Sequence, residues 1–359
     1  MGVTGDQPIA GDRRARFLRA LAREPVDRPP VICTGGSMTA VPAEVVAGSG
    51  FALPAAHLDP AAMAGLALAA ARITGFESVG IPLCTTVEAE VFDAEIDLGD
   101  AVTEARLVRE PYRTTRDVPL IPVEDRLRRG RIGVAIEAVR QLAGMSGDLP
   151  IIANLIGPVS IAASAVEPET FFRELRTERD DTKRLVEHVT AFLAAYSRAL
   201  IAAGADAIAI HEDTATPSLI GPLLFEQVTL PALERVIAEI HEAGAPVLLH
   251  MCGNLGRAET LLSRLHCEGF IPDAVIPPGD LGRSHPHLAI IGNLGTFLLH
   301  QGAPEQITRS TSRLVRDRSV HIVSPACGMA SATPLANIRA LTDAVIHPVS
   351  AALEEAPSK

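Results

Sequence analysis

The sequence has no tryptophan, only two tyrosines and an aromatic share of 3%, so any core it builds must be aliphatic. Cysteine is also scarce. Five residues, an odd number in a chain of 359, do not make a disulfide framework and suit a reducing, cytoplasmic setting. Basic charge is in deficit, with 32 Lys and Arg against 43 Asp and Glu for a formal net charge of −11. That balance argues against a nucleic-acid surface or a polybasic membrane anchor and leaves small molecules or proteins as partners. No charged-then-apolar leader opens the chain, and no apolar stretch has the length of a membrane span. Gly2 does not begin an acylation signal, because Asp6 stands where a Ser or Thr is needed.

Apolar residues are abundant at 47%, enough for one large barrel or two ordinary domains. Short apolar runs at Pro30–Thr34, Ser78–Leu83, Pro150–Leu155, Asp206–His211, Pro246–Met251, Asp273–Ile276, Leu288–Gly292 and Val320–Ser324 each lie near a Pro, Gly, Asp or Ser punctuator and read as strands. Helical patterns fall between them, at Pro60–Thr74, Ile132–Gly144, Arg179–Ala203, Pro222–Ala243, Gly256–Cys267, Pro304–Arg316 and Pro334–Ala352, several begun by Pro or closed by Gly. Eight strands alternating with helices predict an α/β fold, a (β/α)8 TIM barrel. We expect one domain over residues 1–359, with a helical lead-in at about 12–29 and an excursion after the second strand at about 86–130. In that excursion Glu90–Gly99 and Thr103–Pro111 read as extended and charged, while frayed ends are expected at Met1–Gly11 and Glu354–Lys359.

The chemistry concentrates in Val247-Leu248-Leu249-His250-Met251-Cys252-Gly253-Asn254. Residues i and i+2 of a strand share a face, so His250 and Cys252 can converge on one ion. Cys327, in Ser324-Pro325-Ala326-Cys327-Gly328, would join them from beyond the eighth strand. One imidazole and two thiolates give Zn²⁺ three ligands and leave a fourth position open, the mark of a catalytic site. On a barrel these residues lie at the C-terminal rim, where such folds carry their chemistry. The same rim offers Thr85, Thr86, Glu88, Asn154, His211, Glu212, Asp213 and Asn293. Thr86, Glu88, Asn154, His211, Asp213 and Asn293 are candidate substrate contacts, though capping a helix or binding a loop suits the same residue types. Two thiolates cancel the formal charge of Zn²⁺, so a substrate thiol in the fourth position is deprotonated yet stays electron-rich. That site suits alkylation of a thiol better than hydrolysis.

Asp27-Arg28-Pro29-Pro30-Val31, Val87-Glu88-Ala89-Glu90, Ala153-Asn154-Leu155-Ile156-Gly157-Pro158, Ala203-Gly204-Ala205-Asp206, His250-Met251-Cys252-Gly253-Asn254 and Cys327-Gly328-Met329-Ala330-Ser331-Ala332-Thr333-Pro334-Leu335-Ala336-Asn337-Ile338 resemble the methylcobamide:coenzyme M methyltransferases of the uroporphyrinogen decarboxylase superfamily, over nearly the whole chain. The resemblance implies zinc on His250, Cys252 and Cys327. It also implies a small thiol such as coenzyme M as acceptor and a methylated corrinoid (cobalamin), carried by a separate corrinoid protein, as donor. A homo-oligomer is neither required nor excluded.

Two departures stand out. Where close relatives of the coenzyme M enzymes tend to place a glutamate after the His-x-Cys strand, this chain has Ile276-Pro277-Pro278, with Asp273 and Asp280 the nearest acids. Where the family often has Asp-Pro after strand four, it has His211-Glu212-Asp213-Thr214-Ala215-Thr216. Glu239-Ile240-His241-Glu242-Ala243-Gly244 imitates a corrinoid-binding motif but begins with the wrong residue and reads as a helix running to a Gly cap. Cys33, Cys84 and Cys267 lack ligand-like spacing and read as core or surface thiols. The alternatives are a metal-free decarboxylase on the same barrel, which leaves the three ligands unexplained, and a non-catalytic corrinoid- or thiol-binding barrel.

Overall fold

A computed structural model of the chain describes residues 11–35, 38 and 40–348; apart from Gly11 the ends expected to fray lie outside them, as do residues 349–352 of the last expected helix. The chain forms β1 (Val79–Ile81), β2 (Glu95–Asp97), β3 (Arg106–Arg109), β4 (Ile151–Ile156), β5 (Ala207–Glu212), β6 (Val247–Met251), β7 (Gly269–Pro272), β8 (Ala289–Leu294) and β9 (Ile322–Pro325). Seven of these make one parallel sheet in the order β1-β4-β5-β6-β7-β8-β9, with helices between consecutive strands. β1, β4 to β6 and β9 are almost wholly buried, as parallel strands covered on both faces must be.

The sheet closes through the segment around Val31. The N–H of Ile32 donates to the Val323 carbonyl at 2.9 Å, that of Val323 to the Pro30 carbonyl at 2.9 Å, and that of Glu77 to the Val31 carbonyl at 2.7 Å. The expected strand Pro30–Thr34 is thus a single parallel bridge, Val31 to Val323, and not a ladder. Pro30 has no N–H to give, and the N–H of Val31 goes to the Glu77 carboxylate at 3.1 Å. That carboxylate is itself held by Arg16 at 3.0 Å and Arg28 at 2.7 Å.

The first expected strand survives only as that bridge, and six of the other seven lie where the sequence puts them. The sixth does not. Asp273–Ile276 is a turn, and the strand is Gly269–Pro272, pairing Leu248 with Gly269 and Met251 with Pro272. Pro272 ends it by removing a ladder donor, and the Asp273 carboxylate then accepts the Val275 N–H at 3.0 Å, as turn aspartates do. The excursion opens with a short helix, Val87–Val91, so that Glu90 and Val91 are helical and not extended as expected, and continues with the antiparallel hairpin β2/β3, Asp97 opposite Arg106, and two short helical turns at Thr115–Asp117 and Val123–Arg126. Helices Pro60–Thr74, Arg179–Ala203 and Pro304–Arg316 match expectation to the residue. The expected helix Pro222–Ala243 instead carries a wide turn at Phe225–Thr229 before Leu230–Glu242. Pro231 lacks the N–H that a continuous helix would need there. Glu239–Gly244 ends that helix with Gly244 at φ 90°, as expected of a cap.

Among the described residues one helix, Arg179–Ala203, is long and apolar enough by length and composition to cross a membrane. That overturns the expectation that none reaches such a length. Its Leu185, Val189, Phe192, Leu193, Tyr196 and Leu200 are buried in the hydrophobic core, which accounts for the apolar run within the fold.

Alternation along the strands builds the barrel interior in layers. Phe17, Ala20 and Leu21 of the lead-in helix Arg13–Leu21 pack with Ile32, Ile152, Ala209, Leu248, Ile271, Ile291 and Ile322 in one apolar cluster. Two residues further along those same strands come Thr34, Asn154, His211, His250, Asp273, Asn293 and Ser324. A polar layer therefore sits on the apolar one at the C-terminal end, and His250 belongs to it.

Candidate metal centre

His250 is the penultimate residue of β6, on the inward face, Cys252 follows by one more inward step, and Cys327 stands two residues past β9. The structure brings the three together, with one potential ligand atom of each within 4.8 Å of the others. The Nδ1 of His250 lies 3.0 Å from the Ile271 carbonyl oxygen. A carbonyl can only accept, so Nδ1 carries a proton, and Nε2, 3.3 Å from the Cys252 Sγ, is the nitrogen left for a metal to take in exchange for its proton.

Each thiol has a scaffold. Past Cys252, Gly253 adopts φ 80°, a region favouring glycine, and its N–H donates to the Asp273 carboxylate at 2.7 Å. Past Cys327, a Cβ at Gly328 would overlap the Gly35 carbonyl oxygen, so only glycine lets the two loops approach this closely. The Gly328 carbonyl accepts from the Thr296 hydroxyl at 3.2 Å, and Glu104 of the excursion accepts the Ser331 N–H at 3.1 Å.

Electrostatics agree with a cation-binding set. The Cys252 thiol is pushed up by its hydrogen bond with Cys327, by burial and by the Asp213 carboxylate. Burial alone would lower His250, yet the hydrogen bond with Cys327 and the charge of Asp213 outweigh it and raise the imidazole to about 9. A divalent cation reverses both trends, since it favours thiolates and a neutral imidazole. One imidazole nitrogen and two thiol sulfurs are the donors a borderline-soft ion takes, and zinc fits them.

The remaining expected site residues divide. The Asn154 Oδ1 lies 3.1 Å from the His211 Nε2, and the His211 ring is 5.7 Å from the His250 ring. Burial, then His250, lowers His211 to about 3, so it is neutral. Glu88, Asn154 and His211 line one cavity with Thr34 and Met38. Glu88 accepts the Ile156 N–H at 3.3 Å through one oxygen, while the other is buried without a protein partner. Burial raises this carboxyl to about 8.

Thr86 is instead engaged by the buried Arg131 at 2.8 Å, and Asn293 donates to the carbonyls of Asp273 and Ile276 at 3.1 and 2.8 Å. Both have loop-holding roles that need no substrate. Of the two acids nearest the missing glutamate, Asp273 is spent on Gly253 and Val275, and Asp280 is an exposed partner of Arg283.

The sequence reading left out Arg131, His57 and Ser160. For Cys84, burial would raise the thiol, but a hydrogen bond from His57 and the charge of Arg131 bring it down to about 6. Ser160 accepts from the N–H groups of Asp213 and Thr214. None of these had a recognisable spacing, because each reaches the site from a separate element.

The uroporphyrinogen decarboxylase family model matches residues 12–347. The chain belongs to the uroporphyrinogen decarboxylase family. This uroporphyrinogen decarboxylase family member is 32% identical over 332 residues to the methylcobamide:CoM methyltransferase MtbA of Methanosarcina acetivorans, covering 92% of this chain and 96% of the relative. It is 30% identical over 335 residues to the methylcobamide:CoM methyltransferase MtaA of Methanosarcina barkeri, with the same coverage. A solved methyltransferase from Methanosarcina mazei superposes with a TM-score of 0.86 at 28% identity, over 93% of this chain and 98% of that one.

Proposed function

We propose that this chain is a zinc-dependent corrinoid:thiol methyltransferase, a single barrel domain that moves a methyl group from a methylated corrinoid, carried by a partner protein, to a small thiol such as coenzyme M. The observation that carries the reading is the convergence of His250, Cys252 and Cys327 at the C-terminal rim. When bound there, zinc supplies the charge that takes the proton from a substrate thiol while leaving its sulfur nucleophilic. The chain's own residues do the rest. His250 presents Nε2 because Ile271 holds Nδ1. Asp273 fixes the turn after Cys252, and Glu104 and Thr296 fix the loop after Cys327. Glu88, Asn154 and His211 line the neighbouring cavity and are assigned to the acceptor's polar groups. The cysteines are all free thiols, in keeping with a cytoplasmic setting.

The decarboxylase reading gives the converging ligands no task, and Val31–Met38 holds no Arg to grip substrate carboxylates. The test is to load the protein with zinc and present free methylcobalamin with a panel of small thiols, following the corrinoid's absorption. Demethylation by at least one thiol, lost on chelation, is expected. No turnover with any thiol, alongside carbon dioxide release from a porphyrinogen, would establish the decarboxylase.

A further inference from the structure

After β5 the chain turns so that one oxygen of Asp213, Oδ1, lies 3.3 Å from the Cys252 Sγ and 3.7 Å from the His250 Nε2. Those two ligand atoms are themselves 3.3 Å apart. A tetrahedral zinc with nitrogen and oxygen at about 2.0 Å and sulfur at about 2.3 Å has a nitrogen-to-oxygen edge of about 3.3 Å and sulfur edges to either of about 3.5 Å. The three observed distances lie within about 0.4 Å of one face of such a tetrahedron.

The backbone that carries this carboxylate is also held in place. Ser160 Oγ accepts the backbone N–H of Asp213 at 3.2 Å and of Thr214 at 2.9 Å while donating to Glu212, and Glu212 takes the Val159 N–H at 3.1 Å and the Ala215 N–H at 3.3 Å. Asp273 and Asp280 are committed elsewhere.

We infer that Asp213 Oδ1 is the fourth zinc ligand of the thiol-free protein, completing a His, Cys, Cys, Asp set, and that the acceptor thiol takes its place. The inference rests on the zinc reading above and specifies its resting coordination. Position 213 thereby acquires a role different from the substrate contact expected of it. The carboxylate comes from the turn after the strand preceding the His-x-Cys strand, so the coordination sphere draws on the C-terminal ends of β5 and β6 and on the loop after β9.

Zinc binding, with no turnover involved, is the test. Wild-type protein and the Asp213→Ala variant are titrated with zinc against a chromophoric chelator, and an Asp213→Cys variant, free of added thiol, is measured by zinc X-ray absorption. Asp213→Ala should weaken zinc at least tenfold. Asp213→Cys should raise the sulfur count at zinc from two to three, and because it needs only a folded, zinc-loaded protein it decides the matter if the alanine variant does not fold. Zinc affinity within threefold of wild type in Asp213→Ala, or a sulfur count of two in Asp213→Cys, overturns the inference and leaves the methyltransferase reading standing. A wild-type protein that takes up no zinc overturns both.

Discussion

Replacing Ser160 with Ala tests whether the loop carrying Asp213 is held in the way the hydrogen bonds indicate. Ser160 is buried, and its hydroxyl is a hub, accepting from the N–H groups of Asp213 and Thr214 and donating to Glu212. Removing it leaves two partly buried backbone donors short of an acceptor and a fully buried carboxyl short of a donor. Each such group costs about 1 to 3 kcal/mol. The low end applies here, because Glu212 keeps Val159 and Ala215 and the loop can relax toward solvent. The sum is about 3 kcal/mol. The gain in helix propensity within Pro158–Ser164 offsets about 0.5 kcal/mol of it. A net loss of about 2.5 kcal/mol is expected in urea unfolding of the metal-free protein. Zinc should also bind about 10-fold to 100-fold more weakly, the usual effect of losing a group that orients a ligand. Ser164→Ala on the same helix is the control, since its hydroxyl only returns to the Ile161 carbonyl, and it should stay within about 0.5 kcal/mol of wild type. If Ser160→Ala were as stable as Ser164→Ala, the hub would carry no load. If it lost stability but kept full zinc affinity, the loop would be structural and uncoupled from the metal.

Cys327→Ser, nearly isosteric at a half-buried position, should leave the free energy of urea unfolding within about 1 kcal/mol of wild type while abolishing methyl transfer to thiols; wild-type turnover in the variant would make Cys327 a bystander. Glu88→Gln should flatten the dependence of stability on pH. The folded carboxyl titrates at about 8 against an ordinary 4.5, so its protonated form favours the fold below the ordinary value, and that contribution is lost as pH rises through 8. Unfolding at pH 5 and pH 8 should therefore differ less in Glu88→Gln than in wild type, and equal differences would mean that the Glu88 carboxyl is solvated in the folded protein.

Legibility in the sequence follows the range of the forces involved. The helices Pro60–Thr74, Arg179–Ala203 and Pro304–Arg316 could be placed to the residue because their ends are set locally. Asp59 caps the first, Gly75 and Gly204 close the first two in left-handed conformations, and Pro304 opens the third. The sixth strand was placed at Asp273–Ile276, and only pairing with Leu248 and Ala289 selects Gly269–Pro272 in its stead. The expected strand at Pro30–Thr34 survives as a bridge because Glu77, distant in sequence, takes the N–H of Val31.

The centre divides in the same way. His250 and Cys252 share a face by the period of a strand, a property of two residues in one element, so the sequence alone determined that pair, their soft-donor chemistry and the aliphatic barrel beneath them. Cys327 could be nominated by its thiol and its place beyond the last strand. That its sulfur lies within 4.8 Å of the other two ligands was decided by barrel closure and by the approach of Gly328 to Gly35. Only the tertiary structure set Asp213 against the ligand pair, turned Asp273 and Asp280 to other work and tied Thr86 and Asn293 into loops. A side chain's partner across a barrel depends on register, on backbone turns and on which hydrogen bonds are already taken, and none of these is written in the spacing of residues along the chain.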